Sequence, residues 1–178
     1  MAALETPRLR LRLLEARDEA MYCHLYTDRD VMRRIATPLS SEAALRGFGN
    51  ACRHNLANNP GHRFWCIDDT ASRSPVGLAA LRREGACAEI GVMLCSEWWN
   101  RGICSEVFTA VLQYGFEQAG LDRIDARSAE DDGLPVIERL LAPFGFIRMR
   151  SGAADGIGHW ELPRATWESM QVLASAQD

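Results

Sequence analysis

Between residues 63 and 94 three strand-length segments follow one another with only turn-forming residues between them: 63–68 (RFWCID), 76–82 (VGLAALR) and 88–94 (AEIGVML). The stretches between them, 69–75 (DTASRSP) and 83–86 (REGA), carry the Asp, Ser, Pro and Gly that reverse the chain. An antiparallel meander is the expected product. That order excludes the strict strand–helix alternation of a doubly wound sheet.

The flanking pattern completes an α+β reading with a mixed sheet. Residues 8–14 (RLRLRLL) alternate Arg and Leu, the period of a strand with one buried face. The spacing then predicts helices over about 18–26, which Asp18 caps or charge-complements, over 30–35, and over 41–56 behind Ser40 and Ser41. Asn58, Asn59, Pro60 and Gly61 stop the third. Residues 105–118 form a fourth, closed by Gly120, and 134–141 a fifth, closed by Pro143. Residues 123–128, 146–150 and 159–162 are expected strands, giving about seven in all.

Length and composition set the class. A chain of 178 residues fits one domain, here residues 1–178, and 47% hydrophobic with 25% charged residues is the composition of a folded globular protein. A net charge of −4 disfavours nucleic acid as a partner. No stretch reaches the ~18 apolar residues a membrane span needs. The cysteines form no C-x-x-C pair or Cys/His cluster, so no metal is expected, and free thiols in a reducing cytoplasm are the simplest placement.

Chemistry concentrates in residues 88–106, AEIGVMLCSEWWNRGICSE: an apolar strand, a polar break, then a glycine opening an amphipathic helix. A helix start behind a strand offers unpaired N–H groups and the positive end of a dipole, where a phosphate sits well. Gly102 lets an anion approach the backbone, and Arg101 adds charge. A lone glycine before a helix is also common without any ligand.

The run Trp99-Asn100-Arg101-Gly102-Ile103-Cys104 resembles the pyrophosphate loop of GNAT acetyltransferases, with Cys104 where that family places Gly or Ala. Trp99, Glu106, the opening 5–12 (ETPRLRLR), Gly145-Phe146 and the Leu162 to Trp167 spacing resemble its RimJ/RimL branch, which acetylates ribosomal-protein N-termini. The resemblance implies the GNAT fold, a mixed sheet splayed in the middle and flanked by helices. It implies acetyl-CoA as acyl donor, with its pantetheine arm against Val92, Met93 and Leu94 and its pyrophosphate on the loop from Trp99 through Asn100, Arg101, Gly102, Ile103 and Cys104 to Ser105. No metal takes part, since an amine attacks the thioester directly. The acceptor is then an amine, first a peptide or protein N-terminus; the alternatives are a small-molecule amine or antibiotic, or a CoA-binding module without catalysis.

Glu89, in the strand before the loop, is the candidate base, acting through water; a solvent-facing ion pair is the plainer reading of the same residue. Glu106 reads as a dipole-stabilising residue, and Cys104 as a cysteine whose thiolate the dipole favours, without a partner that would make it a nucleophile. Where the family carries an Asn and then a Ser near the CoA sulfur, this chain has Asp132 and Pro135, so no thiolate proton donor is identified. The acidic run Glu130, Asp131, Asp132 is a candidate rim for a cationic acceptor, the tryptophans are candidates for its lining, and an exposed hydrophobic edge is compatible with a homodimer.

Overall fold

The computed structural model describes residues 3–33, 35–57, 59–131, 133–149 and 156–175. Its strands are β1 (Leu4–Glu5), β2 (Leu9–Leu13), β3 (Arg63–Asp69), β4 (Pro75–Glu84), β5 (Cys87–Leu94), β6 (Arg123–Ala129), β7 (Ile147–Arg148) and β8 (Ile157–Pro163). The helices are α1 (Glu19–Thr27), α2 (Arg29–Met32), α3 (Ser41–Leu56), α4 (Ile103–Gln113), α5 (Leu134–Leu141) and α6 (Arg164–Ser175). All eight strands form one sheet in the order β1-β2-β3-β4-β5-β6-β8-β7. Neighbours are antiparallel except β5 and β6, which run parallel.

The expected α+β mixed sheet is therefore present, with the expected meander as β3, β4 and β5. The eighth strand is the two-residue edge β1, too short to show a period. Helices cover both faces, which is why the central strands bury consecutive residues instead of alternating. On one face Val107, Val111 and Leu112 of α4, Leu141 of α5 and Trp167 of α6 pack with Trp65, Ile67, Leu81 and Ile90. On the other, Tyr22 and Leu25 of α1 and Phe48 of α3 pack with Cys66, Leu78 and Met93.

The Arg/Leu alternation of β2 buries Leu9 and Leu11 and leaves Arg10 exposed. Arg12 is the exception: its guanidinium grips Asp18 at 2.6 and 2.8 Å and Asp68 at 2.7 Å. Asp18 is buried and also accepts from the Glu15 amide, so it does not cap α1 as the spacing predicts. Burial alone would raise the Asp18 carboxyl, but the bonds from Arg12 and Glu15 outweigh it and hold it below its ordinary value.

Ser40 caps α3 as expected, while α2 is capped by Asp28 and is shorter than the spacing predicts. Beyond α4 the chain continues as a π turn over Tyr114–Gln118, and Gly120 ends it in the left-handed region. The strand expected over 146–150 reduces to Ile147–Arg148, with Arg150 outside the described residues. Among the described residues no helix is long and apolar enough to cross a membrane.

Candidate active site

Pairing between β5 and β6 begins at Cys87↔Arg123 and stops at Ile90↔Ala126. Beyond that point each strand keeps only its outer neighbour. Val92, Met93 and Leu94 still pair with Ala79, Leu78 and Gly77 of β4, and Arg127 to Ala129 still pair with β8. Two parallel strands thus part in the middle of the sheet, leaving one edge of β5 over residues 91–94 without a strand partner among the described residues. The Trp99 indole caps part of that edge, its Nε1 donating to the Leu94 carbonyl at 2.9 Å. A side chain at Gly91 would meet nothing within 4 Å among the described residues.

Glycine at 77 sets how closely β4 and β5 approach there. A Cβ at Gly77 would lie 2.3 Å from the Met93 carbonyl oxygen and 2.8 Å from Leu94 Cδ2.

From Leu94 the chain makes a short 3-10 turn, Ser96–Trp98, and enters α4 through two left-handed residues, Asn100 (φ 59°) and Gly102 (φ 72°). No side chain caps α4 at Gly102. The Glu106 amide reaches the Gly102 carbonyl at 3.4 Å, so the amides of Ile103, Cys104 and Ser105 are the ones an external acceptor can take. Arg101 is exposed, with its guanidinium over the Trp98 ring at 5.0 Å.

A second cation stands at this loop that the spacing did not reveal. Arg8 donates from Nε to Glu106 at 2.7 Å and from Nη1 to the Arg101 carbonyl at 2.9 Å. Its Nη2 lies 3.7 Å from where a Cβ of Gly102 would stand. Glu106 also accepts from the Arg8 amide at 2.9 Å and from Thr6 Oγ1 at 2.5 Å. Its role is therefore to tie the N-terminal segment to the start of α4. Burial would raise its carboxyl, but these donors prevail and hold it below its ordinary value.

Cys104 departs from the expectation of a dipole-favoured thiolate. Packed against the apolar core, its thiol is pushed up to about 11 by burial. At neutral pH this favours the thiol over the thiolate.

The paired stretch of β5 and β6 carries the titratable groups. Glu89 stands opposite Asp125, one residue before the strands part, and its carboxylate is bonded by Arg82 and lies 3.8 Å from Arg127. Asp125 pairs with Arg123 at 2.7 Å, and Arg123 also approaches Glu161 at 3.3 Å. His159 Nε2 is buried, 3.8 Å from Asp125 and 3.9 Å from Glu161. Ligand atoms of Asp125, His159 and Glu161 fall within 4.8 Å of one another, a grouping invisible in sequence because it spans two strands. The Arg123 guanidinium already occupies the cationic place among them. Glu89, Arg123, Asp125, Arg127 and His159, with Arg82 to Glu84, line a cleft of about 510 Å³ beside the point where β5 and β6 part.

Residues 8–133 match the family model described as an acetyltransferase (GNAT) domain. The chain belongs to the GNAT acetyltransferase family. It is 28% identical over 143 residues to the uncharacterised N-acetyltransferase p20 of Bacillus licheniformis, across 79% of this chain and 80% of that protein. Over 71 residues, 40% of this chain and 39% of that protein, it is 39% identical to the uncharacterised N-acetyltransferase YoaA of Bacillus subtilis. In fold it is similar to spermidine N-acetyltransferase from Vibrio cholerae, solved with CoA and spermine. That match has a TM-score of 0.75 at 19% identity and covers 92% of this chain and 99% of that one. An acetyltransferase from Agrobacterium tumefaciens str. C58 matches with a TM-score of 0.77 at 16% identity, across 91% and 94%.

As a GNAT acetyltransferase, the protein places the residues expected at its donor site in two adjoining places. Val92, Met93 and Leu94 lie on the freed stretch of β5, and Trp99 to Ser105 form the turn into α4. Glu89 lies apart from both, at the vertex of the gap. The proposed acidic rim does not form among the described residues: Glu130 is taken by Arg148 at 2.6 Å, Asp131 caps the Gly133 amide at 2.8 Å, and Asp132 lies outside them. Trp65, Trp160 and Trp167 are buried in the core and do not line the cleft. Pro135 opens α5 and supplies no hydroxyl.

Proposed function

We propose that this GNAT enzyme takes acetyl-CoA as donor, with the pantetheine arm beside Val92, Met93 and Leu94 and the pyrophosphate on the amides of Ile103, Cys104 and Ser105. The observation that carries the reading is the parting of β5 from β6 directly before an uncapped helix start. An extended amide-bearing arm satisfies the freed strand edge, and a diphosphate satisfies the helix amides. Arg8 and Arg101 add positive charge at the same turn. Residues 1–178 act as one domain, in a reducing cytoplasm where all six cysteines stay free thiols.

The acceptor is a primary amine, first that of a peptide or protein N-terminus as in the RimJ/RimL branch. Support for the branch comes from contact between the separate segments that suggested it, since Glu106 binds both Thr6 and Arg8. The thioester lies at the vertex, near Gly91 and Arg127, and the amine enters from the cleft. An ammonium first gives one proton through water to Glu89. The neutral nitrogen then forms its bond to the acetyl carbon, the C–S bond breaks, and the sulfur leaves with its electron pair. The second proton from nitrogen ends on that sulfur, so acetylated amine, CoA thiol and one proton held at Glu89 balance the step. Glu89 must exchange one guanidinium for the ammonium to act this way.

A second reading, a CoA-binding module without catalysis, rests on Pro135 where a hydroxyl is expected. The test is release of free CoA thiol from acetyl-CoA in the presence of peptide and small-molecule amines. Release that needs both protein and amine supports the enzyme; tight acetyl-CoA binding with no release across the panel supports the module.

A further inference from the structure

We propose that the acceptor carries a carboxylate close to its reacting amine, as a free amino acid or a peptide beginning with Asp or Glu does, and that Arg82 and Arg127 bind that carboxylate. The inference rests on the acetyltransferase reading and assigns its acceptor class. The cleft that ends at the vertex is lined by four guanidiniums, those of Arg82, Arg83, Arg123 and Arg127, and by three acids: Glu89 and Asp125 near the vertex, and Glu84 at the far end, opposite Cys87. The two carboxylates near the vertex are already engaged: Glu89 by Arg82 and Arg127, and Asp125 by Arg123.

Exposure decides what an arriving molecule meets first. The Arg82 and Arg127 side chains are each 57% exposed, whereas Glu89 is 26% and Asp125 12% exposed. At the vertex, solvent therefore faces guanidinium N–H donors with Glu89 and Asp125 behind them, and the exposed Glu84 stands at the other end of the cleft. A polyamine reaching the vertex meets positive charge there and must break existing ion pairs to place its reacting amine beside Glu89. A carboxylate can accept two parallel N–H bonds from one guanidinium. Once it does, it draws Arg82 or Arg127 off Glu89, and the ammonium beside it takes the place that guanidinium leaves. One zwitterion thus replaces one ion pair on each side, and charge stays balanced.

The test uses the full chain, acetyl-CoA and matched acceptors: an amino acid against its amide, an Asp-initiated against an Ala-initiated dipeptide amide, and spermidine. Free CoA thiol is read as kcat/KM, beside calorimetric binding of acetyl-CoA. The carboxylate-bearing member of at least one pair is expected to lead its partner and spermidine by about tenfold or more. The first pair reports a free α-carboxylate and the second an acidic first side chain. Arg82→Gln should erase most of that lead through KM while acetyl-CoA binding stays unchanged, and Arg82→Lys should restore part of it. Preference for spermidine or for the uncharged partners, a lead untouched by Arg82→Gln, or acetyl-CoA binding without turnover of any acceptor overturns the inference. Failure of the wild type to bind acetyl-CoA overturns the acetyltransferase reading itself, which separates the two.

Discussion

Replacing Gly102 by Asp or by Asn separates backbone strain from charge at the start of α4. Both side chains are nearly the same shape, and both tolerate the left-handed conformation Gly102 adopts at φ 72° better than other residues do. The nearest atom to a new Cβ is Arg8 Nη2 at 3.7 Å, an ordinary contact, so neither variant meets a clash. Each should lose only about 1 kcal/mol, a fall in Tm of roughly 2–4 °C for a chain of this size. Charge then distinguishes them. A carboxylate about 7 Å from a phosphate on the helix amides, at an effective dielectric near 20, is disfavoured by about 2 kcal/mol for each phosphate charge. The Asp variant should therefore bind acetyl-CoA at least roughly 30-fold more weakly than the Asn variant, which stays near wild type. Calorimetry at low salt measures both, and added salt should narrow the difference. Equal affinities for the two variants would refute the placement of an anion at this turn.

Asp18→Asn removes a buried partner of Arg12, which keeps Asp68; the expected loss is about 3 kcal/mol, a Tm lower by roughly 6–12 °C in a thermal melt. Asp18 and Glu106 are both held below their ordinary values, so the folded state binds fewer protons than the unfolded one. Their contribution is fully present above about pH 4–5 and fades as pH falls through their lowered values, and Asp18→Asn should flatten that acid limb. Gly77→Ala forces a Cβ against the Met93 carbonyl; it should lose about 1–3 kcal/mol in denaturant unfolding and weaken acetyl-CoA binding by shifting Val92 to Leu94. Glu89→Gln should lower kcat about 100-fold near neutral pH with acetyl-CoA affinity unchanged, and the deficit should shrink at alkaline pH as the amine loses its proton unaided. An unchanged kcat for Glu89→Gln would remove Glu89 from the reaction.

The meander and the strand–glycine–helix turn at Gly102 were legible because they depend on local signals. The turn residues that separate the three segments of 63–94 act locally, and a glycine between a strand and an amphipathic helix declares a helix start wherever it occurs. Contacts made across strands were not legible. Arg8 reads as one more arginine in an Arg/Leu repeat until the hairpin brings it 98 residues along the chain to Glu106. The grouping of Asp125, His159 and Glu161 likewise exists only because β8 pairs with β6. Asp18 shows the limit from the other side, since an acid beside a helix start normally caps it. Here the deeper ion pair with Arg12 prevails. Nor was α6 anticipated over Arg164–Ser175, because its burial against Phe116 rests on Trp167, and a single aromatic sets no period.

The most direct test of the donor site is calorimetric titration of the wild-type chain with acetyl-CoA, beside the double variant Arg101→Glu, Gly102→Asp. One site of micromolar affinity that the double variant abolishes is the predicted result. No heat of binding from the folded wild type would contradict the account.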